Sequence, residues 1–417
     1  MRLIIKNATI VDPQGPLHRK TTDLVIENGI IQPSGNITNI NNEDQVYSVE
    51  NLHVSPGWFD TSVSFGEPGF EERETLANGL KTAALSGFTG VAVQPSTSPV
   101  ADHQSIIRFI KDASKNTATE TFPIGALTKE SIGNDLAELL DMKEAGAVAF
   151  GDYQKNISNA TILKISLQYA KDFDALILAF SMDEHLKGKG VVNEGAVSTR
   201  LGLKGIPAIA EEIMISRNLK LLEYTGGRLH IPTISTMGSI ELIKKAKEKG
   251  LKVTCSVAIS QLGLNDLELN HFETKYKILP PLRDEETRLA LLKAVKENII
   301  DCVTSDHNPI DIEFKKMEFD LAKDGSIGIE AAFGMLNKLF TMDTTIHQLI
   351  SGRKVFGLEI PHIAVGQKAN LTLFNPEGSW TFEEKHILSK SKNCAFIGKT
   401  MKGEVYGVYN KQKLQVK

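Results

Sequence analysis

The stretch from 58 to 79, WFDTSVSFGEPGFEERETLANG, gathers side chains whose types and spacing could do chemistry. Ser62 and Ser64 are separated by Val63 on a strand pattern and so face the same side. That pair would suit serine hydrolysis, but a nucleophilic serine needs an adjacent base, and the sequence assigns no histidine or lysine to either. Asp306 and His307, in CVTSDHNP, would suit proton transfer as a pair, and Asp152, in GAVAFGDYQKN, supplies a further carboxylate. For each aspartate the plainer reading, an acid hydrogen-bonded to neighbouring backbone, outweighs the catalytic one. If the two lie together without a cation, repulsion raises one pKa. His230 and His185 read as packing and loop residues, and His103 and His271 as surface ones. Glu71, Glu72 and Glu74 read as carboxylates in a first helical turn, where they are ordinary partners of the helix dipole.

The elements that must position these groups follow a repeating pattern. An apolar run enters the stretch through Val54 and Pro56, alternates through Phe59, Thr61 and Val63, and gives way to the acid-rich EPGFEERET and a helix. That is a strand ending in a loaded βα loop. From 54 to 359 the alternation recurs: FTGVAVQP, ETFPIGALT, AGAVAFGD, DALILAFS, GRLHIPTIS, LKVTCSVA and IIDCVTSD read as strands. RETLANGLKTAALSG, SIELIKKAKEKG and RDEETRLALLKAVKEN read as helices. Strand then helix, repeated this often, predicts a closed (β/α)₈ TIM barrel whose βα loops form one functional face. Residues 1–53 and 360–417 carry short alternating runs with Gly and Asn breaks, predicting a small β-sandwich domain built from both termini.

The first strand resembles that of dihydroorotases, in the cyclic-amidohydrolase branch of the amidohydrolase superfamily. The family's frame D-x-H-x-H-x-R-E-P-G reads here Asp60, Thr61, Ser62, Val63, Ser64, Phe65, Gly66, Glu67, Pro68, Gly69. The resemblance implies a zinc site whose histidine positions hold Ser62, Ser64, Phe180 and Thr233, while the carboxylate positions keep Asp152 and Asp306. It also implies substrate contacts at His307, which is kept, and at Gly66, Ser96 and Leu279, where the family has Arg, Asn and Asn. Serine and threonine are poor zinc ligands and phenylalanine offers no lone pair. Glycine in place of a bidentate guanidinium removes both charge and geometry. Scaffold motifs such as PPLRDEETRLALLKAV, IGIEAAFGML and GQKANLTLFNP carry the resemblance along essentially the whole chain.

Composition narrows the classes. A formal charge of -4, with no basic cluster interleaved with aromatics, argues against nucleic acid as a partner. No uninterrupted apolar stretch reaches membrane-spanning length, and MRLIIKNATIVDPQG reads as a short strand, not a signal peptide. Cys255, Cys302 and Cys394 are far apart in apolar runs and read as buried reduced thiols, which suits a cytoplasmic protein. The expectation is therefore a noncatalytic dihydroorotase-like protein of pyrimidine biosynthesis, without cofactor. The resemblance points to an oligomer with aspartate transcarbamoylase or an active dihydroorotase as partner. The alternatives are a working zinc-dependent hydrolase of a cyclic amide, using Asp152 and Asp306, and a small-ligand binding protein.

Overall fold

A computed structural model describes residues 2–33, 41 and 44–417. The barrel strands are β1 (Trp58–Val63), β2 (Phe88–Val93), β3 (Glu120–Gly125), β4 (Ala149–Phe150), β5 (Leu176–Leu178), β6 (Arg228–Ile231), β7 (Val253–Ala258) and β8 (Cys302–Thr304). They pair in parallel in sequence order. The seam between β8 and β1 is joined by a parallel bridge of Val63 with His307. There Ser64 N donates to His307 O at 2.8 Å and His307 N to Ser62 O at 3.2 Å. The strands are apolar and β-branched because both their faces are covered, by the barrel interior and by the helices outside.

Trp58 begins β1 as a fully buried anchor. Its ring stacks on Phe333 with centroids 5.0 Å apart, and its Nε1 donates to Ser55 Oγ at 2.9 Å. Gly87, at a φ of +95°, passes so close that a Cβ there would lie 2.4 Å from the indole. The helix after β1 spans Leu76–Leu85 and is capped by Thr75, whose side chain accepts from Asn78 N. Glu71, Glu72 and Glu74 therefore precede the helix and do not occupy its first turn. The capping hydroxyl at Thr75 fixes the start later than the run of acids suggests. Glu74 is buried and accepts from Thr75 N, Asn78 Nδ2 and Lys390 N.

Strands from both termini form one hydrogen-bonded sheet. His53–Pro56 lies parallel to Arg2–Ile10 and antiparallel to Leu371–Thr381, so the entry to the barrel is clamped between the two ends of the chain. Leu3, Ile5, Ile10, Val54, Leu371 and Leu373 build its core. Between Leu371–Thr381 and Thr400–Asn410 the chain leaves this sheet and crosses the barrel loops. Ser389 N and Oγ donate to Glu330, Ser391 Oγ donates to Arg73 O, and Asn393 Nδ2 donates to Asn308 O. Cys255, Cys302 and Cys394 are buried and free. Among the described residues no helix is long and apolar enough to cross a membrane.

Candidate active site at the barrel mouth

Asp60 ties β1 to β8 beneath the mouth. Fully buried, it accepts from Thr304 Oγ1 at 2.5 Å and from Ser305 N and Ser62 N at 3.2 Å. Asp306 follows with a φ of +44°, which turns its carboxylate inward. Ser62 Oγ donates to Asp306 Oδ1 at 2.9 Å, and Gln94 Nε2 from the end of β2 donates to Ser62 Oγ at 3.0 Å. Tyr153 Oη and Gln154 Nε2 stand 3.5 Å from the two carboxylate oxygens. Burial pushes the Asp306 carboxyl up to about 7, opposed by the Ser62 hydrogen bond and reinforced by the charge of Asp60.

Across the mouth, the side chains are packed apolar groups. Phe180, beyond β5, clusters with Met182, Ile206 and Ala210, and Leu279 packs against this group. Phe180 and Leu279, far apart in sequence, thus share one apolar plug. Gln154 Nε2 donates to Leu279 O at 2.8 Å and divides the remaining space. On one side a cavity of about 10 Å³ is lined by Ser62, Phe180, Thr233 and Asp306. On the other a second cavity of about 10 Å³ lies against Leu279 and Ser305. Each has room for about one water molecule, whereas small-molecule sites run to roughly 300–1,000 Å³.

Thr233 keeps a φ of +49°, an unusual conformation for a β-branched residue. Its N donates to Ser256 Oγ at 3.2 Å. Inside the barrel His230 lies between Thr254 Oγ1, 2.8 Å from Nδ1, and Ser256 Oγ, 3.1 Å from Nε2. Burial lowers its pKa to about 3, so the ring is neutral.

Other candidate residues separate. Ser64 and Ser96 satisfy each other, hydroxyl to hydroxyl, at 2.7 Å. Gly66 has a φ of +92°, and a Cβ there would meet Phe70 O at 3.0 Å, so the backbone leaves little room for a side chain. Asp152 does not join Asp306. It accepts from Leu127 N at 2.9 Å, Thr128 N at 3.1 Å and Thr128 Oγ1 at 2.5 Å, and so staples the loop after β3; burial raises its pKa. His307 is fully buried, with Gly328 N and Ile329 N donating to Nδ1 at 3.3 and 3.4 Å; burial lowers its pKa to about 4. His185 is exposed on the short helix Glu184–Lys187, and His103 and His271 are also exposed. The structural roles of Asp60 and Gln94 were not singled out in the sequence, though both continue the inward phase of their strands.

These residues do not fit a zinc ion. A zinc site needs converging imidazole, thiolate or carboxylate donors. Here the hydroxyls of Ser62 and Ser64 are already engaged, Phe180 offers a ring, and Asp152 is committed to its loop. Among the described residues no three of His, Cys, Asp and Glu group to hold a metal.

Comparison with known proteins follows the same lines. A family profile described as Dihydro-orotase-like matches residues 52–239. A dihydroorotase of Pelotomaculum thermopropionicum is 39% identical over 411 residues, 97% of this chain and 96% of the relative. One of Thermoanaerobacter sp. is 38% identical over 413 residues, 97% of this chain and 95% of the relative. Among solved structures, the L-hydantoinase (dihydropyrimidinase) of Arthrobacter aurescens superposes with a TM-score of 0.84 at 19% identity, over 100% of this chain and 97% of that one. At that identity the likeness is one of fold, a TIM barrel.

Proposed function

The chain belongs to the dihydroorotase family, and we propose that it is a member that no longer hydrolyses dihydroorotate and serves pyrimidine biosynthesis as a structural partner of aspartate transcarbamoylase. The observation that carries this reading is the filled mouth. Ser62 holds Asp306, Phe180 packs with Leu279, and cavities of about 10 Å³ remain. Hydrolysis of a cyclic amide needs substrate and water held together in one site, and that volume does not hold the pair. The scaffold motifs, by contrast, are intact, which supports a role resting on the outside of the fold. An active dihydroorotase in the same oligomer fits the same logic. The buried, unpaired thiols support a cytoplasmic setting.

The test is reconstitution with the transferase, read by copurification and by transferase activity. A stable complex, or a transferase that is more active or more stable in its presence, is expected; no complex at micromolar concentrations refutes the partnership. A second reading, a working metal-dependent hydrolase, is favoured by the names of the relatives. It requires tightly bound metal and turnover abolished by Asp306→Ala.

A further inference from the structure

At the opposite end of the barrel from the mouth lies a cavity of about 550 Å³. It opens at the N-terminal ends of β5 to β8 beneath the helix Met342–Val355, and Arg228, Lys252, Thr254, Asp301, His347 and Lys354 line it. Its size falls within the range of small-molecule sites, roughly 300–1,000 Å³.

The charge balance there is one-sided. Asp301 is the acid in the lining, and it is already taken: Lys247 Nζ donates to Oδ2 at 2.6 Å and Cys255 N at 2.7 Å. Arg228 reaches Asp174 and Val355 O only through long contacts of 3.2–3.3 Å, and the Asp174 side chain is 77% exposed. Neither Lys252 nor Lys354 forms an ion pair or side-chain hydrogen bond among the described residues. In a chain with a formal charge of -4 this is a local excess of cations. The helix dipole accounts for only part of it. Lys354 sits in a last helical turn, where a cation is ordinary, but Arg228 begins a strand and Lys252 precedes one.

We propose that this cavity binds a small dianion, carrying carboxylate or phosphate groups, between Arg228, Lys252 and Lys354. The guanidinium of Arg228, whose Nη1 and Nη2 already donate to Asp174 and to Val355 O, supplies a fixed positive charge, and the two ammonium groups supply mobile point charges. The site is separate from the barrel mouth and does not depend on whether the mouth is active.

Calorimetric titration of the full chain with malonate and with inorganic phosphate, at matched ionic strength, tests the proposal. Malonamide serves as the uncharged control. Saturable binding of malonate or phosphate, but not malonamide, is expected, and whichever anion saturates identifies the acid group. Because both lysines are exposed, Lys252→Gln with Lys354→Gln leaves the fold intact and should weaken binding roughly tenfold or more, the loss of charge-assisted contacts. Lys244→Gln with Lys245→Gln, on the exposed face of Met237–Glu248, should leave it unchanged. No saturable binding of either anion overturns the proposal, as does binding that survives the Lys252/Lys354 pair or falls equally in the Lys244/Lys245 pair.

Discussion

Asp306→Asn should stabilise the protein at pH 8 and flatten its pH dependence between 4 and 7. In the fold the Asp306 carboxyl is raised from 3.8 to about 7, chiefly by burial. The folded state therefore binds this proton more tightly than the unfolded chain does. Its contribution to stability is fully present below pH 3.8 and is lost as pH rises through about 7. A rise of that size corresponds to ~4 kcal/mol, at 1.36 kcal/mol for each pKa unit. The gain on substitution is smaller, because a buried amide also has a desolvation cost, and about 1–3 kcal/mol at pH 8 is expected. Asparagine is isosteric and can still accept from Ser62 Oγ, now 2.9 Å from Oδ1. Urea unfolding of both proteins at pH 5 and pH 8 measures the difference, with an unchanged m-value securing the comparison. A variant less stable than the parent at pH 8, or an unaltered pH dependence, would refute the reasoning. A carboxylate that held a metal would behave in that opposite way, since its loss would remove the stabilisation that metal binding confers.

Two further perturbations test how the mouth is built. Phe180→Ala should cost about 3–5 kcal/mol by urea unfolding, as expected for a buried aromatic, and should not create dihydroorotate hydrolysis; a loss below about 1 kcal/mol would mean that the ring does not pack as a plug. Asp152→Ala removes the acceptor for Leu127 N, Thr128 N and Thr128 Oγ1. It should cost about 2–3 kcal/mol and speed amide exchange at Leu127 and Thr128, whereas unchanged exchange there would contradict its role as a loop staple.

The barrel was legible because each of its strands is buried on both faces and so reads as an apolar run followed by a helical period. Even Ala149–Phe150, only two residues long in the sheet, lies inside the run AGAVAFGD. The frame that holds Asp60, Ser62 and Ser64 was legible too, as a resemblance. How the mouth is packed was not. Phe180 and Leu279 meet only through the fold, and nothing local in either segment announces the contact. The carboxylate of Asp152 turns to the backbone of another strand's loop, a choice made by two N–H groups at Leu127 and Thr128. The acids before Leu76 were misplaced by a few residues because a run of glutamates outweighed the capping threonine. The excursion that carries Ser389 to Asn393 across the barrel loops has no periodicity to reveal it, since its partners are side chains and carbonyls far away in sequence.

Elemental analysis of protein purified without chelator or metal-affinity resin, repeated after incubation with zinc and washing, tests the central claim most directly. With Ser62, Ser64, Phe180 and Thr233 where the resemblance places the family's histidines, less than about a tenth of an equivalent should be retained. Retention of about one equivalent or more, lost on Asp306→Ala and accompanied by dihydroorotate hydrolysis, would contradict it.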